Sequence, residues 1–449
     1  MPSDNLAVVG LQWGDEGKGK VVHALASSGK YKKVARYQGG PNAGHTVYVG
    51  DGGKKFVLHT VPAGIFCEDV NCVIGDGVVV DPIKLLQEVG DINRLTGERY
   101  ATPDRLFLSE RAHLIMPWHI VIDNIKGKNI GTTGRGIGPC YANKVAREGI
   151  RVGDLFDREG RVDRDAFYRK VAELYEGKVK YIRMLGGVLA SGQPGGTIAS
   201  KDEIVDPILE AGEKLLGHLS VRDTGNMLYL AEKRGESIIF EGAQGTMLSI
   251  DCGTYPFVTS SDPTAGGIAS GVGYRPEINK VLGVTKAYTT RVGEGPFPTE
   301  LDNEVGRFIR ERGGEFGATT GRPRRCGWFD VVQVKDAIMR NMVTNLAVTK
   351  LDVLGDVPNG RVKACTMYKL GGGFTTEFPS RLRDLQQCEP GHYEEFIAWE
   401  GDISGVREFA GLPKEARDYV KYLERILELP VSYISVGPRP EQKISFLSR

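Results

Sequence analysis

Residues 8–20 read VVGLQWGDEGKGK, an apolar run entering a glycine-rich turn that carries two lysines and two acids, Asp15 and Glu16. A glycine-rich turn between a strand and a helix cradles phosphates with backbone amides, and a lysine adds charge. The usual loop of this kind, GxxxxGK[ST], ends in a hydroxyl that binds magnesium. Here six residues separate Gly10 from Gly17, and Gly19 stands in the hydroxyl's place. Asp15 offers a replacement ligand, because Mg²⁺ takes one or two carboxylates together with phosphate oxygens. The competing reading is a tight turn whose glycines supply positive φ, and the loop alone leaves both readings open.

Four further stretches carry chemistry. RYQGGPNAGHT (36–46) places Gln38, Asn42, His45 and Thr46 in a second glycine-rich turn. A histidine there titrates near neutrality and suits proton donation, although a lone histidine is more often structural. TKLD (349–352) follows the apolar run NLAV and resembles the base-reading loop of GTP-binding proteins. Its aspartate pairs with guanine N1–H and the 2-amino group, which adenine does not match. EFGATTGRPRRCGWFD (315–330) sets Arg322, Arg324 and Arg325 behind two threonines and two glycines. Guanidinium forks with hydroxyls fit a carboxylate or phosphate, and the glycines permit closure over it. The bland reading is a flexible surface loop. IGTTGRGIGP (130–139) repeats the Thr-Thr-Gly-Arg pattern, and ANKVAREGIR (142–151) adds Lys144, Arg147 and Arg151. Several anion-ready loops imply more than one anionic substrate.

The elements that must position these loops are short apolar runs: LAVVGLQW, NCVIGDGVVV, ESIIFEGAQG, KVLGVTKAY, NLAVTKLDVLG and VSYISVG. Helical stretches lie between several of them, such as KLLQEVGDINRL and the segment from Arg164 to Leu189. The alternation predicts an α/β fold with flanking helices and smaller β excursions around a large, mostly parallel central sheet. Its functional loops belong at the carboxyl ends of the strands. No linker or repeat divides the chain, and ASGQPGGTIAS (190–200) reads as a surface loop. The prediction is one α/β unit over residues 1–449, with helical insertions at about 155–235.

With 449 residues, 41% hydrophobic and 26% charged, the composition is ordinary for a globular protein, and a net charge of +1 gives no general attraction to nucleic acid or membrane. Seven cysteines form no CxxC pair and no metal-ligand spacing, which reads as reduced thiols. No apolar run approaches the roughly 18 residues of a membrane span. The first strand begins near Leu6, too early for a leader, so a cytoplasmic location is expected.

Taken together, QWGDEGKGK, GGPNAGHT, IGTTGRGIGP, EGAQGT with GTYPFVTSS, EFGATTGRPRR, TKLDVL and the closing ISVGP resemble the adenylosuccinate synthetase family in order along nearly the whole chain. The resemblance implies a ligase that joins IMP and L-aspartate, spends GTP, and passes through a 6-phosphoryl intermediate. It implies that Asp15 is the general base at N1 of IMP and His45 the general acid, with Gln244 a third catalytic group. One Mg²⁺ per site would sit on Asp15 and the Gly44 carbonyl. GTP would lie on Gly14, Asp15, Glu16, Gly17, Lys18, Gly19 and Lys20, with Gly44, His45, Thr46 and Arg324. Its guanine would be read in a C-terminal portion by Lys350, Leu351, Asp352, Ser435, Val436 and Gly437. IMP would share Asp15 to Lys18 and reach Asn42, Ala43, Gly44, His45, Thr133, Gln244, Thr259 and Arg322. Arg147 would reach IMP from the partner subunit of a homodimer. Aspartate would be held by Ala318, Thr319, Thr320, Gly321, Arg322, Pro323 and Arg324.

Two positions depart from the family pattern. His23 stands where an aspartate is expected, and GPRP puts Pro440 in an arginine's place with Arg439 one position early. Two alternatives stand beside the resemblance: a GTP-binding regulatory module, which leaves His45 and the arginine loop without a task, and a ligase acting on a 2-amino purine nucleotide. A 2-amino group needs space close to Asp15.

Overall fold

Along the first strand, β1 (Leu6–Gly10), Leu6 and Val8 enter one apolar layer while Ala7 and Val9 enter another. The period of two with both faces apolar is what a parallel strand covered by helices on each side requires. The computed structural model describes residues 3–50, 53–97, 100–127, 131–190, 199–317 and 321–446. The strands that follow are β2 (Lys33–Arg36), β3 (Asn71–Ile74), β4 (Leu106–Ser109), β5 (Ser220–Arg222) and β6 (Ile238–Glu241). Then come β7 (Lys280–Lys286), β8 (Asn345–Thr349), β9 (Val431–Ser435) and β10 (Lys443–Ser445). They form one ten-stranded sheet in the order β10-β9-β8-β7-β1-β6-β2-β3-β4-β5. Every pairing is parallel except β9 with β10. This is the mostly parallel α/β sheet predicted from the apolar runs.

After β1 the chain builds to one side through β2, β3, β4 and β5. It then returns, inserts β6 beside β1, and builds to the other side. Such a reversal parts the loops at the carboxyl ends of the central strands and opens a crevice there. The loop after β1 runs into helix α1 (Lys18–Ala26) at this point. The loops after β2, β6, β7, β8 and β9 rise around it.

Local signals set the helix ends. KLLQEVGDINRL lies inside the helix Pro82–Thr96, which Asp81 caps by accepting from the amides of Ile83 and Lys84, and which Gly97 ends at φ 70°. The long helix runs over Arg164–Met184 and stops short of the predicted Leu189, because the Gly186–Gly187 pair follows and Gly186 turns to φ 76°. That helix and Lys201–Leu215 pack on the layer that also holds α1, and β5 forms an edge of the main sheet. Of the glycine-rich 190–200 stretch, residues 191–198 lie outside the described residues. Among the described residues no helix is long and apolar enough to cross a membrane.

Two glycines let the histidine-bearing loop leave β2. A Cβ on Gly77 or on Gly271 would sit 2.2 Å from the carbonyl oxygen of Tyr37. The path of Gln38 through Thr46 therefore depends on backbone meeting backbone. Replacing Gly271 with alanine is expected to lower stability by about 1–3 kcal/mol through overpacking. Urea denaturation checks it, and an unchanged midpoint would show that the crossing can open without strain.

Candidate active site

The phosphate loop braces itself with one of its two acids. Glu16 is fully buried, and its carboxylate accepts from the amides of Gln12 (3.0 Å) and Gly14 (2.9 Å) and from the Lys18 amine at 2.6 Å. Lys18 is buried with it, so these two opposite charges cancel inside the loop. A Cβ on Gly10 or Gly245 would stand 2.4 Å from this carboxylate, so both positions must lack a side chain. The second acid is free of such duty. Asp15 lies half-buried at φ 60°, and its carboxylate forms an ion pair with Arg324 Nε at 2.8 Å.

Gly19 is explained by its neighbour. A side chain there would press on His45, with Cβ at 2.8 Å from the histidine Cβ. The hydroxyl of the usual loop is therefore missing because α1 and the strand His45–Val49 approach too closely to admit it. His45 is buried, and its Nδ1 is held by Glu241 at the carboxyl end of β6. The second oxygen of Glu241 takes the Ala63 amide at 2.8 Å. Burial raises the Glu241 pKa, but His45 and Arg36 outweigh it and keep the acid ionised; burial in turn lowers that of His45. An acceptor-only carboxylate fixes the tautomer: Nδ1 carries hydrogen, and Nε2 is the nitrogen that Glu241 does not engage.

Polar groups without a protein partner gather at the same crevice. Among the described residues, buried side-chain atoms lacking one include both amide atoms of Gln244, Asn42 Oδ1, Gln38 Oε1, the Arg36 guanidinium and Asp352 Oδ1. Buried polar groups are satisfied in the great majority of cases, so such a cluster marks where ligand atoms belong. Backbone strain gathers there too. Among the described residues, non-glycine positive φ occurs at Asp15, Arg147, Gln244 and Lys350 of the expected site, and otherwise at Met342, Asp356 and Glu428. Each such residue costs on the order of 1–3 kcal/mol and persists where its surroundings over-determine it.

The lysines of the expected GTP site are occupied. The Lys20 amine donates to Ser435 Oγ (2.8 Å) and to the carbonyls of Gly437 and Gln442, tying α1 to the loop after β9. Burial pulls its pKa down to about 7. Lys350 donates to Gly313 O and, at 3.0 Å, to Glu315. What remains for a base in that pocket is Asp352, whose pKa burial raises against the opposing charges of Lys20 and Lys350. Leu351, Ser435, Val436 and Gly437 are buried around it.

The other expected residues are spread around the mouth. Ala43 is buried, Gly44, Thr46 and Thr259 are half-buried, and Thr133, Gly321, Arg322 and Pro323 are exposed. Arg147 is exposed at the C-cap of the helix Ile137–Ala146. Ala318, Thr319 and Thr320 lie outside the described residues. Sequence reasoning missed Arg36, Glu241 and Glu315. Each is the charged residue that opens a quoted motif, which was the available signal.

A hard cation fits here. Asp15 carboxylate and Gly44 carbonyl are oxygen donors, and the Arg324 guanidinium already shows that the Asp15 carboxylate takes a positive charge. Among the described residues no three His, Cys, Asp or Glu gather to hold a metal alone, so a cation on Asp15 would share its shell with phosphate oxygens and water.

The sequence pattern of the family described as adenylosuccinate synthetase matches residues 7–444. An adenylosuccinate synthetase of Heliobacterium modesticaldum is 48% identical over 446 residues, 98% of each chain, and one of Acetivibrio thermocellus is 46% identical over 443 residues, 97% of this chain and 98% of its own. The solved structure of fully ligated adenylosuccinate synthetase from Plasmodium falciparum superposes with a TM-score of 0.88 at 35% identity, covering 99% of this chain and 100% of that one. The cyanophage S-2L succinoaminodeoxyadenylate synthetase, bound to dGMP and dATP, shares the fold alone, with a TM-score of 0.61 at 20% identity over 99% of this chain and 96% of its own. Pattern, relatives and fold agree over nearly the full length: the chain belongs to the adenylosuccinate synthetase family.

Proposed function

We propose that this chain performs the family's reaction, IMP plus L-aspartate plus GTP to adenylosuccinate, GDP and phosphate, with Asp15 as base and His45 as acid. The observation that carries the assignment is the division of labour inside GDEG. Glu16 is spent on three donors, while Asp15 is left to an ion pair with Arg324. Oxygen at C6 of a purine leaves poorly. Removing the N1 proton places negative charge on that oxygen, which then attacks the γ-phosphorus of GTP. His45, held at Nδ1 by the ionised Glu241, acts as acid in its protonated form and donates a hydrogen bond to the same oxygen through Nε2. Gln244, with neither amide atom engaged, steadies the purine. The amine of aspartate then displaces phosphate from C6.

The remaining roles follow the family resemblance. Backbone amides from Gly14 to Lys20, with Gly44 to Thr46, surround the GTP phosphates. The Asp15 carboxylate and the Gly44 carbonyl would hold Mg²⁺, which would supply charge neutralisation for phosphoryl transfer. Asp352 reads guanine between Leu351 and the segment Ser435, Val436, Gly437. Asn42, Ala43, Thr133, Thr259 and Arg322 hold IMP, and the loop 318–324 holds aspartate. Arg147 acts from the partner subunit of a homodimer, which its exposed position beside Val145 suits; Val145 is 81% exposed. The helical stretch at about 155–235 is a flank of one α/β unit, and the C-terminal portion serves guanine. The enzyme works in the cytoplasm.

Purified protein with Mg²⁺, GTP, IMP and aspartate is expected to show the ultraviolet difference absorbance of a succinyl purine. Its absence would end the assignment, and dGMP in place of IMP is expected to give no product. Asp15→Asn is expected to keep GTP binding in calorimetry yet lose at least about 10²-fold in kcat, the range of a general base. Near-normal turnover would remove Asp15 from the mechanism. If Arg147 acts across the dimer, mixing inactive Arg147→Leu and Asp15→Asn proteins recovers activity. Random exchange leaves one intact site in half of the dimers, about a quarter of wild-type activity. No recovery after subunit exchange would place Arg147 in its own chain's site or in none.

A further inference from the structure

Glu315 has no access to solvent and gathers four donors from three places in the chain. Lys286 Nζ, at the end of β7, lies 2.9 Å from both of its oxygens. Tyr288 OH and Arg324 Nη1 donate to Oε1 and Oε2, the latter at 2.6 Å, and Lys350 Nζ reaches Oε1 at 3.0 Å. Burial alone would raise this acid's pKa. Lys286, Lys350 and Arg324 together hold it far below the ordinary carboxylate range. Burial also draws Lys286 down to about 8 against the pull of Glu315.

The cluster is a junction between two binding loops. Glu315 begins the loop that ends at Arg324, and the loop's ends are tied by Arg324 N to Glu315 O at 2.9 Å as well as by the side chains. Arg324 continues to Asp15 through the ion pair at 2.8 Å. Lys350 comes from the other direction. It follows β8 in the left-handed conformation, φ 56°, two residues before Asp352. Its amine grips Gly313 O and Glu315, so the residue beside the base-reading acid is fastened to the root of the arginine loop. A rigid contact of this kind transmits displacement, because the buried carboxylate cannot release one cation without leaving the rest unbalanced.

We propose that Glu315 is a positioning residue that joins the guanine-reading loop to the loop that takes aspartate, so that the base of the nucleotide sets the affinity for the amino acid. The coupling rests on the assignment of Asp352 to guanine and of the loop 318–324 to aspartate made above. It adds that the two are linked through Lys350, Glu315 and Arg324.

The test compares GTP with inosine triphosphate, which lacks the 2-amino group. In the wild type, the exchange is expected to raise the aspartate KM by at least about fivefold, the lower range of site-to-site coupling, while the IMP KM stays within about twofold. In Glu315→Gln and in Lys350→Met the aspartate KM is expected to be high with both triphosphates and to ignore the exchange. Lys350→Met keeps Glu315 paired with Lys286, Tyr288 and Arg324, so it carries the test should Glu315→Gln fail to fold. An aspartate KM in Lys350→Met that still follows the triphosphate as in wild type overturns the proposal. So does an IMP KM that rises in parallel, which marks general damage. Asp352→Asn separates the underlying reading: it is expected to abolish the preference for GTP. Loss of that preference together with a wild-type aspartate KM indifferent to the nucleotide overturns the coupling alone; an unchanged preference overturns the guanine assignment and the coupling with it.

Discussion

A carboxylate removed from water costs several kcal/mol unless donors replace the solvent. Three of them, Glu16, Glu241 and Glu315, organise everything at the carboxyl end of this sheet. Each is fully buried, and Glu241 and Glu315 collect donors that belong to different loops. Glu16 folds the phosphate loop on itself through two amides and Lys18. Glu241 fastens the loop after β2 by taking His45 and the Ala63 amide. Glu315 collects β7, the arginine loop and the loop after β8. The desolvation penalty makes the pairing obligatory, so these acids fix backbone positions more firmly than exposed ion pairs would.

The same constraint sorts the polar groups into two populations. Those satisfied within the protein hold shape, and those left over wait for ligand atoms. Asp15 and Glu16 are adjacent in sequence and have the same charge, yet they fall on opposite sides of that line. Positive φ at Asp15 turns its carboxylate out of the loop while Glu16 turns in. Gln244 repeats the pattern: φ 57°, a buried amide, and no protein partner. Strain and unspent hydrogen-bonding capacity thus coincide at Gln244, a residue the proposed reaction uses. The lysines do the reverse of what a phosphate loop suggests, since Lys18 neutralises Glu16 and Lys20 ties the loop after β9.

Much of this was legible before the fold was in view. The apolar runs predicted the parallel sheet because strands buried on both faces cannot be disguised by polar alternation. The motifs singled out Asp15, His45, Asn42 and Asp352 because they sit in glycine-rich or polar stretches where a bulky core residue would be out of place. The anchors were harder to see. Arg36, Glu241 and Glu315 open the stretches RYQGG, EGAQG and EFGATT, and a charge just at or after the end of a strand or helix reads as an ordinary solvated boundary. Only long-range packing reveals them as buried: Glu241 meets His45 across 196 residues, and Lys286 meets Glu315 across 29. The glycine in place of a hydroxyl at position 19 was likewise visible but unexplained until His45 was found against it.

The two departures from the family pattern meet in space although they lie at opposite ends of the chain. His23 and Pro440 both line one cavity of about 790 Å³ at the far end of α1, together with Cys67, Phe66 and Arg439. His23 is buried there, with Nδ1 3.8 Å from Cys67 Sγ, and burial lowers its pKa, favouring the neutral ring. An aspartate at this position would put a carboxylate into the same wall, and it would need a cation to balance it. An arginine at position 440 would bring one; proline brings none, and Arg439 extends toward Gly53. A neutral side chain at position 23 and an uncharged one at 440 are therefore mutually consistent, and Arg439 remains as a cation lining the same cavity. Among the described residues, neither of the two is a partner of Asp15, His45 or Asp352.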